Sequence, residues 1–231
     1  MRRADAGVAL DAAQEATADA GLKGMIPIDR PFLDYVISAL ADAGITTVVL
    51  VIGPDHDAIR TYFTHTAPPT RVHVHFAVQD EPLGTANAVV AAASVIGDEP
   101  FLVLNADNHY PAKTVRALAA ESSAGVVAFA RDALLADGLI DPERVRHFAV
   151  LDIDAHDTLR AIVEKPGDAL DLSSEGARWV SMNLWAITPA LVRACRTVPR
   201  SVRGEFELPE AVAYAIAQHD EHVRVVRANA T

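Results

Sequence analysis

The sequence predicts an α/β domain built on a parallel sheet, and three observations carry that prediction. Short apolar runs alternate with helical patterns as far as Ala130, an order that calls for parallel strands joined by right-handed crossovers. Residues 101–104, Phe-Leu-Val-Leu, are apolar throughout and stop at Asn105, Ala106, Asp107 and Asn108, which is the pattern of a strand covered on both faces. The 231 residues are 51% hydrophobic, enough for a substantial core. With no internal repeat, low-complexity tract or long linker, residues 1–231 read as a single domain.

The elements follow in chain order. The alanine-rich stretch 4–20 reads as part helical. A helical pattern over 31–43 leads into a strand at 45–52, and a second over 55–63 into a strand at 71–78. His73 and His75 share a face of that strand as zinc ligands can, but no third ligand lies near them, so a solvent-facing side is the reading. Gly84 allows close approach of the backbone, and Thr85 caps the helix 85–96. After the strand 101–104, a helix at 111–121 is led by Pro111 and carries Lys113 on its surface, and a strand follows at 125–130. Residues 132–146 are charged and aperiodic, either an excursion over the mouth of the sheet or a surface loop. Strands at 148–153 and 159–164 flank Asp152, Asp154, His156 and Asp157, the polar turn of a hairpin rather than a metal cluster. A strand at 179–187 and helices at 189–196 and 205–218 follow, the last with Leu208, Val212 and Ile216 on one face, before the apolar run 223–226.

Two of these strands end in groups that carry chemistry. Ligands of open α/β sheets sit beyond the carboxyl ends of the strands, where Asp107 falls. A hard carboxylate there suits Mg²⁺, which takes one or two protein carboxylates and fills its octahedron with phosphate oxygens and water. Gln79 follows the strand 71–78, and its amide donates and accepts side by side, matching the edge of a nucleobase.

Composition narrows the partners. A net charge of −11 argues against nucleic acid, whose binding needs a basic face. Any cations that meet a phosphate must then be local, and the chain has just three lysines, Lys23, Lys113 and Lys165. Cys195 is the one cysteine, which excludes an intrachain disulfide and fits a reducing compartment. The acidic opening segment lacks the apolar core of a signal peptide, and no run approaches the roughly 18 apolar residues of a membrane span. The expectation is a cytoplasmic protein with no membrane partner; a homo-oligomer stays open.

The motifs resemble those of the sugar nucleotidyltransferases, the nucleoside-diphosphate-sugar pyrophosphorylases. Members carry Lys-Pro-Met-(Leu/Ile/Val)-Pro, a Gln followed by Pro-Leu-Gly-Thr-Ala, a Gly-Asp after an apolar strand, and Glu-Lys-Pro. Here Lys23-Gly24-Met25-Ile26-Pro27, Gln79 with Pro82-Leu83-Gly84-Thr85-Ala86, Ala106-Asp107 and Glu164-Lys165-Pro166 stand in that order. Segments 181–185 and 204–209 are similar to later motifs of a subset of the family. Gly24 for Pro and Ala106 for Gly depart from the pattern without removing a functional side chain. The resemblance implies the nucleotide-diphospho-sugar transferase fold, a Rossmann-like doubly wound mixed sheet in three α/β/α layers. It also implies transfer of a nucleotidyl group from a nucleoside triphosphate to a sugar 1-phosphate, releasing pyrophosphate. By the same resemblance Gln79, Pro82, Gly84 and Thr85 meet the nucleotide, Asp107 holds Mg²⁺, Lys23 touches phosphate, and Glu164, Lys165 and Asn183 hold the sugar phosphate.

Family members also open with a strand and a loop of the form Gly-x-Gly-(Thr/Ser)-Arg-(Met/Leu), whose tail Met1-Arg2-Arg3 resembles. That strand would lie between strands 45–52 and 101–104, and its loop would cradle the triphosphate. The resemblance therefore carries the expectation that the natural product begins upstream of Met1, and that a second metal carboxylate lies beyond Thr231. The alternative to an enzyme is a catalytically incompetent homologue that binds a nucleotide or nucleotide sugar as a sensor.

Overall fold

A computed structural model describes residues 23–136, 140, 145, 148–163 and 178–229. A 3₁₀ turn, Lys23–Met25, precedes helix α1, Phe32–Asp42, which buries Leu33, Val36, Ile37 and Leu40 at helical spacing. Its end is set by Gly44 at φ +94°, where Gly44 N–H donates to Ala41 O and Ile45 N–H to Leu40 O. That left-handed turn satisfies two of the last carbonyls and aims the chain into β1, Thr47–Ile52. Helix α2, Asp57–Thr61, runs on through a wider turn at Tyr62–Thr66 and leads to β2, His73–Val78. Helix α3, Thr85–Ile96, stops at Gly97, and β3, Phe101–Val103, follows. Then come α4, Ala112–Ala119; β4, Gly125–Ala130; α5, Arg131–Ala136; and the hairpin β5, Ala149–Ile153, with β6, Leu159–Val163. The long β7, Trp179–Ile187, α6, Pro189–Thr197, α7, Leu208–His219, and β8, Arg224–Ala228, complete the described chain.

Side-chain alternation on the strands sorts the interior into two cores. Val127 and Phe129 of β4, Val150 of β5, and Val180, Leu184 and Ala186 of β7 pack under α1 and α4. Val126, Ala128, Leu151, Trp185 and Ile187 point the other way, under α3, α6 and α7. Strands buried on both faces between two helical layers explain the unbroken apolar runs. The layered α/β/α arrangement is therefore written in the sequence pattern.

Strand direction matches the mixed sheet that the resemblance implies. The pairs β1·β2 and β4·β8 are parallel, but β7 runs antiparallel to β3, β4 and β5. The order is β6-β5-β7-β4-β8, with β3 also on β7, and β1-β2 form a separate two-stranded sheet. Antiparallel β7 inserts between β3 and β4, so the strands before and after α4 are not neighbours. A cavity of about 790 Å³ separates β1 from β3 and is lined by residues of both. The interval where the family resemblance puts a further central strand is a slot among the described residues.

Smaller expectations resolve as well. Asp152 lies in β5 and residues 154–158 form the β5–β6 turn, in which the Asp154 carboxylate accepts from the N–H groups of His156 and Thr158. His73 and His75 are exposed on β2. Helix α5 occupies part of the stretch read as aperiodic, and most of 137–147 lies outside the described residues, as does 1–22. Among the described residues no helix is long and apolar enough to cross a membrane.

Candidate functional site

The slot opens at one end between Gly24, Thr85, Asn105, Ala106 and Asn183. That opening gathers segments far apart in sequence, each positioned by a local cause. Gln79 N–H donates to Ile52 O at 2.9 Å, which continues the β1–β2 ladder one residue past β2 and fixes the Gln79 side chain at the strand end. Its Nε2 then donates to Gly84 O at 3.0 Å and Asn87 Oδ1 at 2.8 Å. A carbonyl can only accept, so the amide nitrogen must face the loop. Gln79 Oε1, with no partner among the described residues, is the atom left to meet a ligand.

The loop below it is shaped by the chain that precedes α7. Gly84 sits at φ +109° and ψ 178°, a region essentially confined to glycine. A Cβ there would lie 2.4 Å from Phe206 O and 2.9 Å from Phe206 N. Phe206 N–H donates to Leu83 O at 2.7 Å, Ala86 N–H to Phe206 O at 2.9 Å, and Leu208 N–H to Thr85 Oγ1 at 2.8 Å. The close approach that Gly84 permits is to the Phe206 backbone. One expectation is corrected by this clasp: the helix cap is Gly84, while the Thr85 hydroxyl serves the start of α7 instead of α3. Pro82 is exposed in the same loop.

Across the opening, the turn after β3 is tied to an irregularity in β7. Between Val126↔Trp185 and Ala128↔Ser181 the register shifts, so β7 carries extra residues there. Asn183 sits at φ +60° in that bulge, a left-handed conformation that asparagine tolerates better than most residues. Its N–H donates to Ser181 Oγ, and its Oδ1 accepts from Trp185 Nε1 at 3.4 Å. The preceding carbonyl, Met182 O, accepts from the Tyr110 hydroxyl and from Asn108 Nδ2. Burial raises the Tyr110 pKa well above the ordinary phenol value, so its hydroxyl keeps its proton and stays a donor. Asn108 and Tyr110 thereby hold the Asp107 turn against the Asn183 bulge.

Asp107 is exposed on this turn and makes no hydrogen bond or ion pair with another described residue. Lys23, exposed in the 3₁₀ turn, is brought to the same lip because Gly24 packs on Ala106, whose carbonyl oxygen would lie 3.3 Å from a Cβ on that glycine. Of the residues named from the sequence, Thr85 and Asn183 line the slot, Gln79 is hydrogen-bonded to Gly84 beside Thr85, and Lys23 and Asp107 adjoin the lining residues Gly24 and Ala106. Glu164 and Lys165 lie outside the described residues, just beyond Val163 at the end of β6.

Some functional neighbours escape sequence reasoning. Asn87 belongs to the first turn of α3, eight residues from Gln79, with no cap or turn pattern to mark it. Asn108 and Tyr110 look like ordinary turn residues until β7 is placed beside β3. Among the described residues no three His, Cys, Asp or Glu side chains cluster as a metal cage.

Comparison with known proteins places this geometry. Residues 18–230 match the Nucleotidyl transferase family. A low-salt glycan biosynthesis nucleotidyltransferase of Haloferax volcanii is 24% identical over 210 residues, covering 86% of this chain and 54% of that protein. A UTP–glucose-1-phosphate uridylyltransferase of Bacillus subtilis is 23% identical, covering 90% of this chain and 76% of its own length. The chain thus spans about half the length of the first relative and three quarters of the second. A crystal structure of UDP-glucose pyrophosphorylase with UDP-glucose superposes with a TM-score of 0.71 at 16% identity, over 90% of this chain and 83% of that one, and so shares the fold.

Proposed function

The chain belongs to the nucleotidyl transferase family, and from that premise we propose that it transfers a nucleotidyl group from a nucleoside triphosphate to a sugar 1-phosphate, releasing pyrophosphate. The observation that carries the reading is the single opening that joins the Gln79–Thr85 loop to the Asp107 turn and the Asn183 bulge. One side offers an acceptor to a base and the other a carboxylate to phosphates.

The amide of Gln79 sets which atom meets the base. Its two N–H groups are spent on Gly84 O and Asn87 Oδ1, so Oε1 presents an acceptor. An acceptor takes a donor from the edge of the base, the ring N–H of uracil, thymine or guanine or the exocyclic amine of guanine, cytosine or adenine. Uracil, the base named in the uridylyltransferase relative, carries such a donor.

In the reaction a phosphate oxygen of the sugar 1-phosphate attacks the α-phosphorus. A new P–O bond forms there, and the bond to the bridging oxygen of pyrophosphate breaks. The attacking oxygen is already ionised at neutral pH, so no general base is required. Positioning and charge neutralisation are the work of the protein. Lys23 supplies a local positive charge and Asn183 a hold on the sugar phosphate, to which Glu164 and Lys165 are assigned by the family resemblance. Asp107, alone and exposed, fits a Mg²⁺ ion that takes its other ligands from phosphate and water. That ion would neutralise charge on the phosphates as pyrophosphate leaves.

The test is a pyrophosphate-release assay with Mg²⁺ over UTP, dTTP, GTP, CTP and ATP, each paired with a panel of hexose 1-phosphates. Turnover with at least one triphosphate, dependent on a sugar 1-phosphate, is expected. Pyrophosphate release that does not depend on a sugar phosphate, or none with any pair, would overturn the reading.

A further inference from the structure

The outer edge of β2 is unpaired among the described residues. In the register Thr47↔His73, His73 N–H donates to Thr46 O and Gln79 N–H to Ile52 O. A parallel ladder uses alternate residues of each strand, so the backbone groups of His73, His75 and Ala77 face β1. Those of Val74 and Phe76 therefore point away from it, and in the two-stranded β1–β2 sheet no described strand meets them. Side chains alternate on the two faces of the strand. Val74 and Phe76 pack on the core that α1 covers, whereas His73 and His75 stand exposed on the opposite face.

Two imidazoles at alternate positions of a strand, with Cβ atoms about 7 Å apart, can close on one transition-metal ion. A tetrahedral ion asks for four ligands, and among the described residues no third His, Cys, Asp or Glu of the same chain joins the pair. We propose that His73 and His75 hold a divalent transition metal of the Zn²⁺ type, shared with the same two histidines of a second copy, so that two chains join edge to edge along β2.

Backbone register and metal geometry agree on this arrangement. A two-fold axis at Val74 sets that residue opposite Val74 of the second copy, and the two exchange both N–H···O bonds because both groups point outward. His73 then lies opposite His75 of the second copy on the same face, in the position without hydrogen bonds where Cα atoms approach to about 4.5 Å. The four Cβ atoms outline a rectangle of about 5 by 7 Å, and an ion above its centre is equally near to all four rings. An axis at Phe76 would instead set His75 opposite Ala77 and leave His73 facing Gln79. The histidines thus select one register.

Charge makes the assembly depend on metal. Each copy carries a formal net charge of −11, so bare edges repel, and the ion brings positive charge to the contact. Arg71, the nearest cation in sequence, is held by Asp42 at 2.7 Å. Imidazole suits Zn²⁺, Cu²⁺ and Ni²⁺, whereas Mg²⁺ prefers oxygen ligands, so the ion of the proposed reaction does not fill this site. The pair also stands clear of the opening, since His75 precedes Gln79 by about 13 Å of strand.

The test takes the full chain, stripped with EDTA and dialysed, and measures mass by light scattering, zinc stoichiometry by calorimetry and amide exchange residue by residue. Without metal the mass should be that of one chain. Zn²⁺ should double it at one ion per two chains and slow exchange at Val74 at least about tenfold, while Mg²⁺ does neither. His73→Ala and His75→Ala change exposed side chains and leave the fold intact. Each should weaken zinc-driven dimerisation by at least about tenfold, the least that loss of even an outer partner costs many metal sites. One ion per chain with no change in mass would overturn the proposal. So would a dimer that persists in EDTA or in both variants, or a zinc dimer without protection at Val74. None of these readouts requires catalysis, so the outcome is independent of the transferase reading.

Discussion

Replacing Gly84 by alanine would place a methyl carbon 2.4 Å from Phe206 O and 2.9 Å from Phe206 N, at a backbone conformation that side chains rarely adopt. Backbone strain there costs about 1–3 kcal/mol, and forcing an atom into a packed site about 1–3 kcal/mol more. The full strain is thus on the order of 2–6 kcal/mol. The protein has a way to relieve it, because the strap can swing off the loop. That releases three hydrogen bonds, Phe206 N–H to Leu83 O, Ala86 N–H to Phe206 O and Leu208 N–H to Thr85 Oγ1. At about 0.5–1.5 kcal/mol net for each bond, detachment costs about 1.5–4.5 kcal/mol in place of the clash, so the loss stays on the order of a few kcal/mol, within a typical domain stability of about 5–15 kcal/mol. Gly84→Ala should therefore fold, with its urea midpoint lowered accordingly. Because Gly84 O also anchors Gln79 Nε2, the KM for the triphosphate should rise at least tenfold while the KM for the sugar phosphate moves little. Urea denaturation and initial rates measure the two effects. Undiminished stability alongside a raised KM would refute the clasp and return Gly84 to a direct role against the base.

Other perturbations follow from the same structure. Asp107→Asn should lower kcat by roughly 10²–10³, the scale of losing one charge-stabilising group, while the urea midpoint stays within about 0.5 kcal/mol of the parent. Tyr110→Phe removes the hydroxyl donor to Met182 O and should cost about 1–2 kcal/mol in urea, with a rise in the sugar-phosphate KM because the Asn183 bulge loosens. Burial pushes the Cys195 thiol up to about 12, so the folded state holds a proton that the unfolded state releases above about pH 9. Stability from this group is full below that pH and falls as pH rises toward 12, by up to about 1.4 kcal/mol per pH unit. Urea midpoints from pH 8 to 11 should decline, and Cys195→Ala should flatten the slope.

The elements themselves were legible because burial leaves a local record. Residues 101–104 and 125–130 are apolar without a break, and 179–187 apolar except at Ser181 and Asn183, since helices cover both faces of their strands, and α3 and β7 begin and end where the composition changes. The motifs that share the opening were legible too, as short strings at strand ends. What those strings do locally was harder to read. Thr85 carries every mark of a helix cap, yet its hydroxyl accepts from Leu208, 123 residues away. Gly84 carries the mark of close approach, without a sign of which backbone approaches.

The sequence by itself determined which residues are buried, where strands and helices lie, and which polar groups stand at strand ends, because hydrophobic period and turn chemistry act over a few residues. Tertiary structure alone decided that β7 runs antiparallel between β3 and β4, that Asn183 occupies a bulge locked by Tyr110, and that β1 and β3 face each other across an open slot. A strand apolar on both faces carries no information about its neighbours or their direction. Those are settled by backbone hydrogen bonds between distant segments, and such bonds involve atoms that every residue shares.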